Sequence, residues 1–292
     1  MRAEVASTLK QRGAVLLLLP LLLAACKRDV SAEQAPVQPR AQVFETAHYR
    51  IESRASDEET RKTADATESL HRAYLHFFDL PDRPRDAKLR LMLDRDRADF
   101  KRHNRSSPWA EAYYRPYICH AYYARNALNP YHWMLHEATH QLNREVAGLQ
   151  RRAWIEEGLA TYFGASRLED GELRAGIIDP AAYPIWWLPK LPLSGDLQPD
   201  VREERFIALR ALITGSGGPP IDRHVNEYYV GYWSLTYFLF HYDGGKYADG
   251  YRKLIAKGGG IDDFETLIGP VSVIEAEWYG YLRESTDSPK LG

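Results

Sequence analysis

His136-Glu137-Ala138-Thr139-His140 limits what this chain can be more than any other stretch. A helix turns about 100° per residue, so histidines four apart share one face, roughly one turn apart. Two imidazoles so placed can hold one tetrahedral Zn²⁺, and the Glu137 carboxylate between them reaches a water at that ion. His136 and His140 are therefore candidate metal ligands and Glu137 the candidate catalytic base.

The flanking residues support a helix. Asn129-Pro130 reads as its start, with Asn at the cap and Pro in the first turn, and Gly148 reads as its stop. Tyr131, Leu135, Ala138, Leu142 and Val146 form an apolar stripe, while His132, His136, His140 and Asn143 point away from it. His132 stands about 12 Å from His140 along the axis, too far to share one ion, and is expected to be structural or to support a ligand.

A catalytic zinc site needs a third protein ligand. Trp154-Ile155-Glu156-Glu157-Gly158-Leu159-Ala160-Thr161-Tyr162-Phe163 reads as a second helix. Its adjacent glutamates lie about 100° apart, so one of them faces the metal. Glu157 shares its face with Ala153, Ala160, Thr161 and Gly164, all small, whereas Glu156 lies beside Leu159 and Phe163. That favours Glu157. Gly158 costs about 1 kcal/mol inside a helix, so a packing or functional reason is expected for it.

The pair HEATH and WIEEGLATYF resembles the Glu-type zincins (gluzincins), and among them the bacterial peptidase-MA-like proteins. The specific likeness spans residues 129–164, and a looser likeness in element order runs from about Val43 to Arg283. The resemblance implies one Zn²⁺ per chain held by His136, His140 and Glu157, a peptide or protein substrate, and a tyrosine that stabilises the oxyanion. That tyrosine maps best onto Tyr229, at the start of a helix from Asn226, with Tyr228, Tyr232 and His224 as rivals. Residues 141–156 between His140 and Glu157 form a tight spacing for the clan. Thr161, one turn after Glu157, takes a position where thermolysin-like enzymes use an acid to orient a histidine.

The N-terminus speaks to compartment. Arg2, Lys10 and Arg12 precede an apolar run from Ala14 to Ala25, a secretory signal too short for a comfortable membrane span. Leu23-Ala24-Ala25-Cys26 resembles the bacterial lipobox, which implies lipidation at Cys26. Lys27, where an Asp would mark inner-membrane retention, implies an outer-membrane lipoprotein facing the periplasm. Cys119 is then a lone thiol, expected to be a small buried group. The net charge is −2 and no run of Lys or Arg forms a basic stripe; Arg151-Arg152 is an isolated pair. No nucleic-acid partner is expected.

The domain reading is a signal over 1–25, a tether over 26–42, an α+β lobe with the metal site over 43–170, and a mostly helical lobe over 171–292. The fold class expected is α+β, zincin-like, with a mixed sheet, the site helix, and a cleft between the lobes. Residues 44–53 and 88–93 read as strands, and 116–123 as a strand beside the site; the resemblance implies an edge strand there that takes the peptide by β-augmentation, while packing explains its tyrosines equally well. Residues 180–199, rich in Pro and Trp, read as an irregular loop that either walls a cleft or caps the core with its aromatics. The expected function is a zinc-dependent hydrolase of the cell envelope, most simply a metallopeptidase. Its rivals are a non-catalytic zincin-like binding or scaffold lipoprotein, and a zinc hydrolase of non-protein amides or esters.

Overall fold

The computed structural model describes residues 41–150 and 152–287. The segments read as signal and, in its greater part, as tether, with Cys26, lie outside the described residues, as does Arg151. Among the described residues no helix is long and apolar enough to cross a membrane.

Strands and helices alternate through the first half, and the architecture is mixed α+β. The expected strand over 44–53 is instead two, β1 (Gln42–Glu45) and β2 (Tyr49–Ser53), folded back on each other antiparallel. Helix α1 (Asp57–Phe77) starts sharply because Ser56 and Glu59 form a reciprocal capping box, with acids in the first turn facing the helix dipole. It returns the chain to β3 (Leu89–Asp94), parallel to β2. After α2 (Arg97–His103) come β4 (Tyr113–Arg115) and β5 (Ile118–Tyr122).

The sheet order is β1-β2-β3-β5-β4, with β5 parallel to β3 and antiparallel to β4. This corrects the strand expected over 116–123. Its core, β5, is internal, and the edge beside the site belongs to the three-residue β4.

Helix α3 (His132–Glu145) packs on β5 and α1 through Leu135, Ala138 and Leu142, all fully buried. It begins two residues later than expected. Asn129 does not cap it; its side chain donates to Asp179 instead (2.9 Å), and Tyr131 takes the cap position without a side-chain bond. The polar face of α3 is also buried, because α4 (Ala153–Gly164) lies across it, followed by α7 (Val225–His241) packed on α4.

Three glycines fix these approaches. A Cβ on Gly158 would stand 2.2 Å from Thr236 Oγ1 of α7, which answers the expectation that this residue has a packing reason. One on Gly164 would stand 3.3 Å from His136 Cβ, so the small face of α4 does meet the site helix. Gly259 (φ 69°) lies against Ile155 and its carbonyl accepts the Trp154 indole N–H (3.0 Å), which pins the start of α4.

β6 (Ser166–Glu169) and β7 (Glu172–Ile178) form a hairpin whose turn is Asp170-Gly171. The lobe boundary expected between 170 and 171 falls in that turn. The rest is helical: a 3₁₀ turn over Ile185–Lys190, then α5 (Leu197–Arg202), α6 (Leu209–Thr214), α7, α8 (Ala248–Ala256), α9 (Ile261–Leu267) and α10 (Val271–Asp287).

Candidate metal centre

Two helices and one tight spacing bring three donor atoms together. His136 Nε2 and His140 Nε2 stand 3.3 Å apart on α3. Glu157 Oε2, from α4, lies 3.3 Å from the first and 3.5 Å from the second. A tetrahedral zinc with bonds of about 2.0–2.1 Å needs ligand–ligand edges of about 3.3–3.4 Å, so the triangle already has the size of one tetrahedral face. Glu157 Oε2 is buried without a hydrogen-bond partner among the described residues, as an atom awaiting a cation would be. A nitrogen–nitrogen–oxygen donor set suits zinc. The residues present fit the ion.

The electrostatics are those of a tightly coupled group. Burial alone would lower the His140 imidazole; the Glu157 charge, with the Glu156 carboxylate close by, holds it well above its usual value. Burial would raise Glu157, but His140 and His136 keep its carboxyl well below the usual range. Glu137, 7% exposed, is raised by burial, against the pull of both histidines. It lines the cleft beside the triangle.

Glu156 is the group that the sequence reading set aside. Its Oε2 lies 3.5 Å from His140 Nδ1, the ring nitrogen opposite the metal-facing one. Thr161, expected to orient a ligand histidine, does not: its hydroxyl donates to the carbonyls of Glu157 (2.6 Å) and Gly158 (3.0 Å) within α4. A hydroxyl so short stays on its own helix. The longer acid one residue before the ligand reaches across.

His132 is no ligand. Its Nδ1 donates to Asn129 O (2.7 Å), and burial pushes its pKa down to about 4, so the ring is neutral. Cys119 is fully buried, its thiol against Glu137 O at 3.2 Å.

Of the candidate oxyanion donors, Tyr229 alone among the four reaches the centre. Its ring lies 6.0 Å from that of His136, and it lines both cavities described below. Burial, then the charges of Glu157 and Glu137, push its phenol well above the usual value, so it keeps its proton. The Tyr228 hydroxyl donates to Pro219 O (2.9 Å), and His224 pairs with Glu204 (3.0 Å). Tyr232 packs edge-on to Tyr229, one turn farther along α7.

Two cavities share His136, Glu137, Tyr229 and Trp109 in their walls. The larger, about 640 Å³, is faced by Trp133, Trp186, Trp187 and Tyr183, so the Trp-rich segment over 180–199 does wall the cleft. The smaller, about 420 Å³, is faced by His140, Arg144, Glu156 and the edge strand residues Tyr113 and Tyr114. Trp109 and the segment leading into β4 were not singled out in the sequence; a three-residue strand carries too little periodicity to read.

Residues 133–258 match a family model described as a protein of unknown function (DUF1570). The match spans all of α4 and α7 and takes in the three candidate ligands, Glu137 and Tyr229. No curated protein matches the chain.

Two other groupings bring ligand-type atoms close, His48 with His71 and Asp82, and Asp94 with Asp99 and His103. The His48 and His71 rings are stacked 3.9 Å apart at 16°, so their lone pairs run parallel and do not converge. Asp94 and Asp99 accept from Arg54 and Arg102, both at 2.7 Å. Neither is a comparable centre.

Proposed function

We propose that this chain is a zinc-dependent hydrolase of the zincin type, acting on peptide bonds. The observation that carries the reading is the triangle of His136 Nε2, His140 Nε2 and Glu157 Oε2, sized for one face of a tetrahedral ion whose fourth position is left to a reactant. Zinc, when bound there, supplies a Lewis acid and acidifies water.

The protein's own groups supply the rest. Glu137, buried beside the triangle, takes a proton from the attacking water and delivers it to the leaving amine. Tyr229 keeps its proton and donates a hydrogen bond to the oxyanion as charge develops. Glu156 holds the His140 ring in orientation. β4 is the outer strand of the sheet and its Tyr113 and Tyr114 line the smaller cavity, so an extended peptide would pair there, which moves the β-augmentation expected in the sequence to the adjacent strand. The peptide substrate, like envelope anchoring through Cys26, rests on the sequence resemblance.

The test is hydrolysis of a peptide mixture by the zinc-loaded full chain in detergent, followed by mass spectrometry. The reading expects cleavage that a chelator stops and zinc restores, and a loss of about 10²- to 10⁴-fold in Glu137→Gln with zinc still bound. Cleavage indifferent to chelation, or no cleavage with zinc bound, would contradict it.

A further inference from the structure

The smaller cavity carries a charge that this chemistry leaves unused. Arg144 follows His140 by one turn of α3, a rise of about 6 Å, and lines the same cavity as His140 and Glu157. Its Nη1 is buried with no hydrogen-bond partner among the described residues, and its guanidinium lies 5.8 Å from the Tyr117 ring. A buried donor without a partner costs about 1–3 kcal/mol, more when charged, so something that accepts a hydrogen bond belongs beside it.

None of the neighbouring acids hydrogen-bonds Arg144 among the described residues, although Glu156 Oε1, in the wall of the same cavity, is also buried without a partner. Glu145, the next residue, accepts from Arg85 through its carbonyl (2.6 Å) and from the Tyr114 hydroxyl through its carboxylate (3.0 Å). Glu157 faces both imidazoles, and Glu156 Oε2 faces His140 Nδ1. Other arginines of the fold show what a satisfied guanidinium looks like here: Arg97 makes two bonds to Glu111 (2.7 and 2.6 Å). Arg144 has the same planar fork, facing a cavity of about 420 Å³. The fork matches a carboxylate bidentately, which a compact ammonium does not.

We propose that Arg144 anchors a substrate carboxylate in the smaller cavity, next to the bond that is cleaved. The inference rests on the hydrolase reading and deepens it: the substrate is a peptide with an acid close to the scissile bond. That acid is either the peptide's own C-terminal carboxylate or an Asp or Glu side chain. Arg144 is then a specificity-determining residue rather than a catalytic one.

The test uses N-acetylated, phenylalanine-containing pentapeptides in matched forms: free acid against C-terminal amide, and Glu against Gln at each position of the amide. Cleavage is read on the zinc-loaded full chain. Binding of the same peptides, fluorescently labelled, is read by anisotropy on the Glu137→Gln chain. The expected result is a preference of about tenfold or more for one acid over its neutral partner, in the range of a charge-assisted bond. Arg144→Gln brings that ratio close to one, and Arg144→Lys keeps part of it. The free-acid pair and the Glu/Gln series tell the two sources of the carboxylate apart.

Acid and neutral partners treated alike by the wild-type chain, or a ratio that survives Arg144→Gln, would overturn the proposal. Cleavage with a ratio of one removes the carboxylate anchor and leaves the hydrolase reading intact. Absent cleavage with a ratio in binding that Arg144→Gln abolishes does the reverse.

Discussion

Glu156 Oε2 and Glu157 Oε2 lie at opposite nitrogens of the same ring, each 3.5 Å away, the first at His140 Nδ1 and the second at Nε2. A carboxylate on the far nitrogen fixes the tautomer that presents Nε2 to a metal and raises its basicity. Glu156→Ala is expected to weaken zinc binding by about 10- to 100-fold, as losses of such supporting groups do. Competition with a fluorescent zinc chelator measures it. Thr161→Ala serves as the contrast: its hydroxyl bonds only within α4, so zinc affinity should hold. Equal losses in the two variants would remove Glu156 from this role.

Tyr229→Phe deletes one hydroxyl and keeps the ring that packs near His136. The expected outcome is a fall in kcat of about 10²- to 10³-fold with KM little changed, since the bond forms to charge that develops only in the transition state. Tyr228→Phe, whose hydroxyl is spent on Pro219 O, should leave kcat near wild type. Steady-state kinetics on one peptide decides between them, and the reverse pattern would move the donor to Tyr228.

Much of the centre was legible because helical geometry is local. The i, i+4 histidines, the apolar stripe of Leu135, Ala138 and Leu142, and the small face of α4 all follow from residues within a few turns. The helix expected from Asn226, seen as Val225–His241, was legible for the same reason. What escaped depends on contacts distant in sequence. Glu156 was placed beside Leu159 and Phe163 because a wheel shows direction but not reach, and nothing local says that its carboxylate arrives at His140 Nδ1. The edge strand was misplaced because β4 is shorter than one period of any reliable pattern, while β5 has the apolar run. The single strand read over 44–53 hid a turn, since residues on both sides alternate alike. The boundary expected at 170/171 falls inside the β6–β7 pairing, a contact that the shift in composition there does not announce.

Stability at low pH should depend on the start of α1. Glu59 is brought from 4.5 to about 2, first by its hydrogen bonds from Arg125 and against the opposing effect of burial. A carboxyl lowered by folding stabilises the native state above its unfolded pKa, and that contribution is lost as pH falls through the folded value. The wild-type thermal midpoint is therefore expected to drop between pH 4.5 and about 2 more steeply than that of Glu59→Gln, which lacks this titration. Differential scanning fluorimetry across that range is the check. Parallel profiles for the two chains would show that the Arg125 pair contributes nothing to the slope.

The central claim is that three side chains on two helices make one metal centre, and zinc content tests it most directly. Elemental analysis of the purified chain after equilibration with zinc and removal of the free ion should give about one zinc per chain for wild type. Glu157→Ala, which removes the only ligand from α4, should retain far less. No retained zinc in wild type, or equal retention in both chains, would contradict the account.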